Sequence, residues 1–208
     1  MTAPETSQIT RTARTLHGDI LALVRDLVHD DGGDGGDMEG VRYPFQVWWE
    51  LQVALYALLR RRLLREPDGR ELAQELFDTM SRDWDESLRR RGSGDTKTIR
   101  LMRRLGRGFY GRLAAYGDSD GAGNGDNNSD NDGDGLRESL FKNLVAAGLS
   151  ESRAREMTDT LQTASLTLGN VSRDDLLNGC LAAVGQTGGQ TEGQKHGQAD
   201  GQTKAASP

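Results

Sequence analysis

The stretch PFQVWWELQVALYALLRRRLL, residues 44–64, limits the possible folds more than any other part of the chain. From Phe45 to Leu59, apolar residues fall on every side of a helix, leaving no face for water. Such a helix must be covered from several directions, which places it at the centre of a helical bundle. Pro44 suits a first helical turn, where its missing N–H loses no hydrogen bond. Arg60, Arg61 and Arg62 at the other end complement the helix dipole. A membrane span is the competing reading, but the apolar run covers only about 15 residues against roughly 20 needed. Gln46, Glu50 and Gln52 also interrupt it. The expectation is a core helix.

The remaining ordered segments also read as helices. Beyond the break at Pro67-Asp68-Gly69, Leu72, Leu76, Phe77, Met80, Trp84 and Leu88 recur at helical spacing, with charges on the opposite side. Gly92-Ser93-Gly94 stops that helix and Asp95 is the expected cap of the next, so the two form an antiparallel hairpin. In TKTIRLMRRLGRGFYGRLAAY, Ile99, Met102, Leu105, Phe109, Leu113 and Tyr116 share one arc. Lys97, Arg100, Arg103, Arg104 and Arg107 occupy the opposite arc with no acid among them, making a basic amphipathic helix. Gly106, Gly108 and Gly111 weaken it intrinsically, so close packing against a neighbour is expected to compensate. Further helical patterns occupy LRESLFKNLVAAG, SESRAREMTDTLQTASL and SRDDLLNGCLAAV, the last with Ser172 as N-cap. DILALVRDLVH, residues 19–29, is a short amphipathic helix near the N-terminus. No segment alternates with period two, so the fold class is all-α.

Composition separates these helices from their connections. Of 27 glycines in 208 residues, most lie in 32–40, in 117–135 and from Gly185 onward, among Asp, Asn or Gln. Those stretches hold too little apolar surface to offset the entropy of ordering, and disorder is expected there. The organisation is then a segment 1–40 with one short helix and an acidic Gly-rich linker. A single helical bundle domain follows over 41–184, interrupted by the low-complexity insertion 117–135, and then a disordered Gly/Gln-rich tail over 185–208. The net charge of −6 conceals a division. Between Arg42 and Arg112 there are 16 Lys/Arg and 10 Asp/Glu, a balance of +6, so the flanks carry −12. A basic core between acidic tethers suits an anionic partner, either nucleic acid or lipid headgroups.

Few residues offer catalytic chemistry. Cys180 is the only cysteine, which excludes an internal disulfide and fits a reducing compartment. The first residues, MTAPETSQITRTARTLHG, lack the apolar core of a secretory signal. His17, His29 and His196 lie in the N-terminal segment or the tail, away from the expected core, and give no metal-ligand spacing. Asp83 and Asp85 stand about 200° apart on a helix and cannot converge on one atom. GRGFYG sits within a helix and so lacks the strand that a phosphate loop requires. DNNSDNDGDG, residues 126–135, imitates the start of a calcium loop from Asp130. However, position 12 of that loop is Phe141 where a bidentate glutamate is needed, and no helix is expected to lead in. Weak calcium association by clustered carboxylates is all that this segment supports. No cofactor, metal or small-molecule substrate is expected, and the chain reads as a non-enzyme. The cationic arc of Lys97 to Arg107, extended by Arg112, is the candidate partner-binding surface.

ELAQELFD (71–78), RDWDESLRRRGSGD (82–95) and GFYGRLAAY (108–116) follow one another in the order and with the separations of a known family. The chain resembles the ubiquinol–cytochrome c chaperone family over about 43–116 and, more loosely, 136–184. The helix leading in is similar too, with an acidic residue at Glu50 and an Arg-Leu end at Arg62-Leu63. DDLLNGCLAAV resembles the family's closing segment. The positions that match family motifs are Glu50, Phe77, Asp78, Asp83, Asp85, Gly94, Asp95, Phe109, Tyr110, Gly111, Arg112 and Tyr116. The chain departs from the pattern at Tyr56, where a histidine is expected, and at Trp84, where a smaller apolar residue is expected. It also departs at Val47-Trp48-Trp49, which replaces a Gly-Arg-Phe-type entry.

The resemblance implies an all-helical, non-enzymatic assembly factor that binds newly made cytochrome b, or its nascent chain, and helps build ubiquinol–cytochrome c reductase. Mitochondrial relatives also contact the ribosome, and a chaperone for a membrane subunit would work at a ribosome exit or an anionic membrane surface, either alone or with a partner assembly subunit. The implied location is cytoplasmic and peripheral at the inner membrane of a bacterium, or the matrix side in a mitochondrion. The alternative is a helical RNA- or ribosome-binding adaptor acting through the same basic face.

Overall fold

The computed structural model describes residues 3–29, 45–90, 92, 94–116 and 132–177, and all of the regular structure among them is helical. The linker after residue 29, most of the 117–135 insertion, the tail, Pro44, Cys180 and His196 lie outside the described residues. In chain order the helices are α1 (Ala3–His29), α2 (Phe45–Leu63), α3 (Gly69–Arg90), α4 (Asp95–Ala115), α5 (Asp132–Ala146), α6 (Glu151–Asn170) and α7 (Arg173–Leu177). The all-α bundle expected from the sequence is the fold observed.

Helix α2 takes the central place that its encircling apolar residues require. It packs on α1, α3, α4, α5 and α6, and every residue from Trp49 to Leu59 is buried. Two of its buried polar side chains are bonded to α3. The Trp84 indole donates to Gln52 Oε1 at 3.1 Å, and the Tyr56 hydroxyl donates to the Ala73 carbonyl at 3.1 Å. Each bond satisfies a group that would otherwise cost about 1–3 kcal/mol to bury. Around them, Phe109 of α4 is the hub of an aromatic cluster, with Phe77 at 4.6 Å, Tyr56 at 5.2 Å and Trp84 at 6.1 Å between centroids. These spacings and tilts are the ones that aromatic quadrupoles favour.

The connections follow their local chemistry. Arg62 and Glu66 pair at 2.6 Å across the α2–α3 turn, and Gly69 lies so close to Leu63 that an added Cβ would fall 1.7 Å from its carbonyl oxygen. Only glycine fits there. Gly92 ends α3 at φ +74°, the left-handed region. Asp95, expected as a cap, is instead inside the first turn of α4. Gly94 holds the cap position without a side-chain bond, and Asp95 accepts from Arg89 at 2.5 Å. Gly148 at φ +112° closes α5, and the Ser150 hydroxyl caps α6 by accepting from the Arg153 amide. Ser172 caps α7 as expected, accepting from the Asp175 amide at 3.1 Å.

Two segments differ from the sequence reading. Helix α5 begins at Asp132, inside the stretch read as insertion. Positions 132–141 of the twelve-residue loop register that starts at Asp130 are therefore helical. Helix α1 extends back to Ala3 rather than starting near Asp19, and it packs chiefly on α3. Ala13, Leu16, Ile20 and Val24 form its buried stripe. Alanine and the surrounding threonines gave that stripe little hydrophobic contrast in the sequence.

His17 consequently sits inside the bundle and not away from it. Its side chain is buried with Nε2 3.9 Å from Asp83 Oδ2. Burial lowers its pKa below the ordinary 6.5, and the nearby Asp83 charge only partly opposes that. A lowered folded-state pKa means the unfolded chain binds the proton more readily, so this stability is full above pH 6.5 and lost as pH falls. The melting temperature of the wild type is expected to drop more steeply below about pH 6.5 than that of His17→Gln. Superimposable profiles for the two proteins would refute this.

Candidate functional site: the basic outer face of α4

Helix α4 is fixed from its C-terminal half. Phe109, Leu113 and Tyr116 are buried, and Gly108 leaves room for the Trp49 ring, whose nearest carbon would lie 3.1 Å from an added Cβ. Gly106 and Gly111, expected to pack against a neighbour, face open space instead. The apolar arc read from the sequence is therefore only partly covered. Met102 and Leu105 are half-buried, whereas Ile99 is 49% exposed.

The anchor of this half-helix is polar. Glu50 of α2 is 2% exposed. Arg112 Nε donates to both of its carboxylate oxygens, at 2.9 and 3.0 Å, and the Tyr116 hydroxyl donates to Oε1 at 2.5 Å. Asn143 of α5 donates to the Tyr116 oxygen at 3.1 Å. One carboxylate thus ties three helices together. Burial and then the negative charge of Glu50 push the Tyr116 phenol well above its ordinary pKa of 10. For Arg112, burial acts downward, but the hydrogen bond and charge of Glu50 outweigh it and raise the pKa. Arg112, expected among the partner-binding residues, is thereby committed to the interior network.

The other cations stay outside. Lys97, Arg100, Arg103, Arg104 and Arg107 are all exposed, and no described residue pairs with any of them. Between Thr96 and Ala115 there is no acidic residue. Ile99, Arg100, Arg103, Gly106, Arg107 and Tyr110 line a shallow trough along the helix. Tyr110, 65% exposed, separates it from a second cleft floored by Tyr56, Phe77, Phe109 and Leu113.

The family-motif positions divide accordingly. Glu50, Phe109 and Tyr116 are buried, Arg112 is half-buried against Glu50, and Phe77 is half-buried against Phe109. Asp78 accepts from Gln74, Asp85 accepts from Arg89, and Asp83 lies between His17 and Arg90. Gly94 and Asp95 form the start of α4, while Tyr110 and Gly111 are on its outer side. Among the described residues no group of three or more His, Cys, Asp or Glu could hold a metal ion. Sequence reasoning missed Asn143 and the fate of Arg112. The available signal was an acid inside an apolar helix, which needs a partner, with Arg112 and Tyr116 four apart on the next basic helix.

Replacing Tyr116 by Phe should cost about 1–3 kcal/mol in chemical denaturation, because Glu50 loses a donor in a buried site. The raised phenol pKa adds a pH signature. Its contribution is complete below about pH 10 and is lost as pH rises beyond it, since only the unfolded chain ionises readily there. Tyr116→Phe should lose less stability than wild type over that alkaline range. Equal losses would contradict the network.

Comparison with known proteins places the chain in context. Residues 40–183, spanning α2 to α7, match the ubiquinol–cytochrome C chaperone family. The crystal structure of the Cbp3 homolog from Brucella abortus is similar with a TM-score of 0.60 and 23% identity, covering 85% of this chain and 90% of that one. That likeness shows the fold. No match was found among the curated proteins compared.

Proposed function

Because this chain belongs to the ubiquinol–cytochrome C chaperone family, we propose that it binds newly made cytochrome b and promotes its entry into ubiquinol–cytochrome c reductase. The family match over 40–183 carries the assembly role. The site supports a binding function and not a catalytic one. Glu50, Arg112 and Tyr116 are bonded to one another around the buried carboxylate, while the cations without a described partner lie on an exposed helix face.

That face gives the protein its place of work. A chaperone for a membrane subunit meets its client where the client emerges, beside ribosomal RNA and lipid headgroups. Both surfaces are anionic, and exposed arginines concentrate a protein at either. Among the described residues no helix is long and apolar enough to cross a membrane. Attachment is therefore proposed to be peripheral, at the cytoplasmic side of a bacterial inner membrane.

Two experiments separate this reading from an RNA- or ribosome-binding adaptor unconnected with respiration. Deleting the gene should remove haem b absorbance and reductase activity, whereas an unchanged spectrum would favour the adaptor. Replacing Arg100, Arg103, Arg104 and Arg107 by Glu should abolish assembly with the melting temperature preserved. Normal assembly in that variant would exclude the basic face as the docking surface.

A further inference from the structure

The outer side of α4 carries more than charge. Ile99 and Tyr110 are the exposed large hydrophobic side chains of this helix, and Tyr110 lies eleven positions after Ile99. At about 3.6 residues per turn that is close to three full turns, so both lie on one line along the axis. Arg103 and Gly106 fall near the same line, and Arg100 and Arg107 lie about a quarter turn to one side. Gly111, Ala114 and Ala115, all exposed, keep the cationic side low, so that a flat surface can approach the helix closely.

A lipid interface matches this arrangement. A helix lying in it sinks an aliphatic tip below the headgroups and holds a phenol at headgroup depth. Its arginine stems run along the apolar edge while the guanidinium groups meet phosphate. The exposed Ile99 and Tyr110 supply the first two elements, and the cations without a described partner supply the third. We propose that this face of α4 docks the protein lengthwise on an anionic lipid bilayer, with Ile99 and Tyr110 entering the interface. The proposal rests on the docking role assigned to the basic face above and commits it to one partner.

Single-stranded RNA fits the same face less well. Such RNA is gripped by several aromatic rings on which successive bases stack. Tyr110 is the only aromatic among the exposed large hydrophobic residues described. Ile99 has no role against a phosphate backbone, but it has one against acyl chains.

Sedimentation of the full chain with vesicles tests the proposal. One set contains equal parts phosphatidylglycerol and phosphatidylcholine, and the other contains phosphatidylcholine alone. The protein should sediment with the anionic vesicles, fail to do so with the neutral ones, and release as salt rises. Each cation near such a surface is worth about fivefold in partitioning, so changing the four arginines to Gln should weaken it on the order of a hundredfold or more. Ile99→Ser combined with Tyr110→Ser should weaken it about tenfold while leaving the salt dependence unchanged. Both variants should keep wild-type helicity; the arginine variant should also keep the wild-type melting temperature, and loss of the Tyr110 ring contacts with Phe109 and Phe77 should lower that of the other only modestly.

Equal sedimentation with neutral vesicles would overturn the proposal, as would undiminished affinity in either variant. Tighter binding to polyuridylate than to anionic vesicles at the same salt would assign the face to RNA instead. None of these outcomes bears on the assembly role, which the haem b spectrum of the deletion strain decides separately.

Discussion

Glu50 carries a carboxylate that is 2% exposed on the central helix of the bundle, and a charge in that position destabilises the fold unless other groups compensate it. Compensation comes from α4, through the Arg112 guanidinium and the Tyr116 hydroxyl, and Asn143 of α5 fastens the phenol in turn. Aromatic contacts among Phe109, Phe77, Tyr56 and Trp84 also join these helices. Apolar packing tolerates a sliding or rotated helix far better than a two-oxygen arginine contact does. The carboxylate therefore sets the rotation of α4, and the rotation of α4 decides which of its side chains face water.

Much of this was legible in the sequence. The encircling apolar residues of α2 required a central helix, and Gly92 and Ser172 marked helix ends where the structure has them. The cationic arc of α4 also lies on the outside as read. What stayed hidden depended on partners distant in the chain. Arg112 looks like one more cation of a basic helix until Glu50, 62 positions earlier, is brought beside it. His17 looks peripheral because the stripe that buries it is built from Ala13, Leu16 and threonine-rich surroundings, a weak signal next to that of α2. Periodicity identifies a buried face, but it does not say which neighbour covers that face. Ile99 shows the reverse error. It keeps the period of the buried arc but lies beyond the reach of the neighbouring helices, so it meets solvent.

These features join the fold to the function. The assembly role follows from the family, and the physical character of the surface follows from the division of arginines on one helix. Arg112 is spent internally, which leaves Lys97, Arg100, Arg103, Arg104 and Arg107 free of described partners and aligned beside Ile99 and Tyr110. On the docking role proposed above, the helix that carries these charges is already formed and anchored at Phe109, Leu113 and Tyr116, so binding need not first order it.

The coupling between Glu50 and Arg112 is the most direct test of this account. A double-mutant cycle built from Glu50→Gln, Arg112→Gln and the pair, followed by urea denaturation, isolates it from the surrounding packing. A coupling of about 2–4 kcal/mol is predicted, because either single change strands a charge that the double change removes. Single costs that add to within about 0.5 kcal/mol would show that α4 is held by packing alone and that Glu50 does not set its rotation.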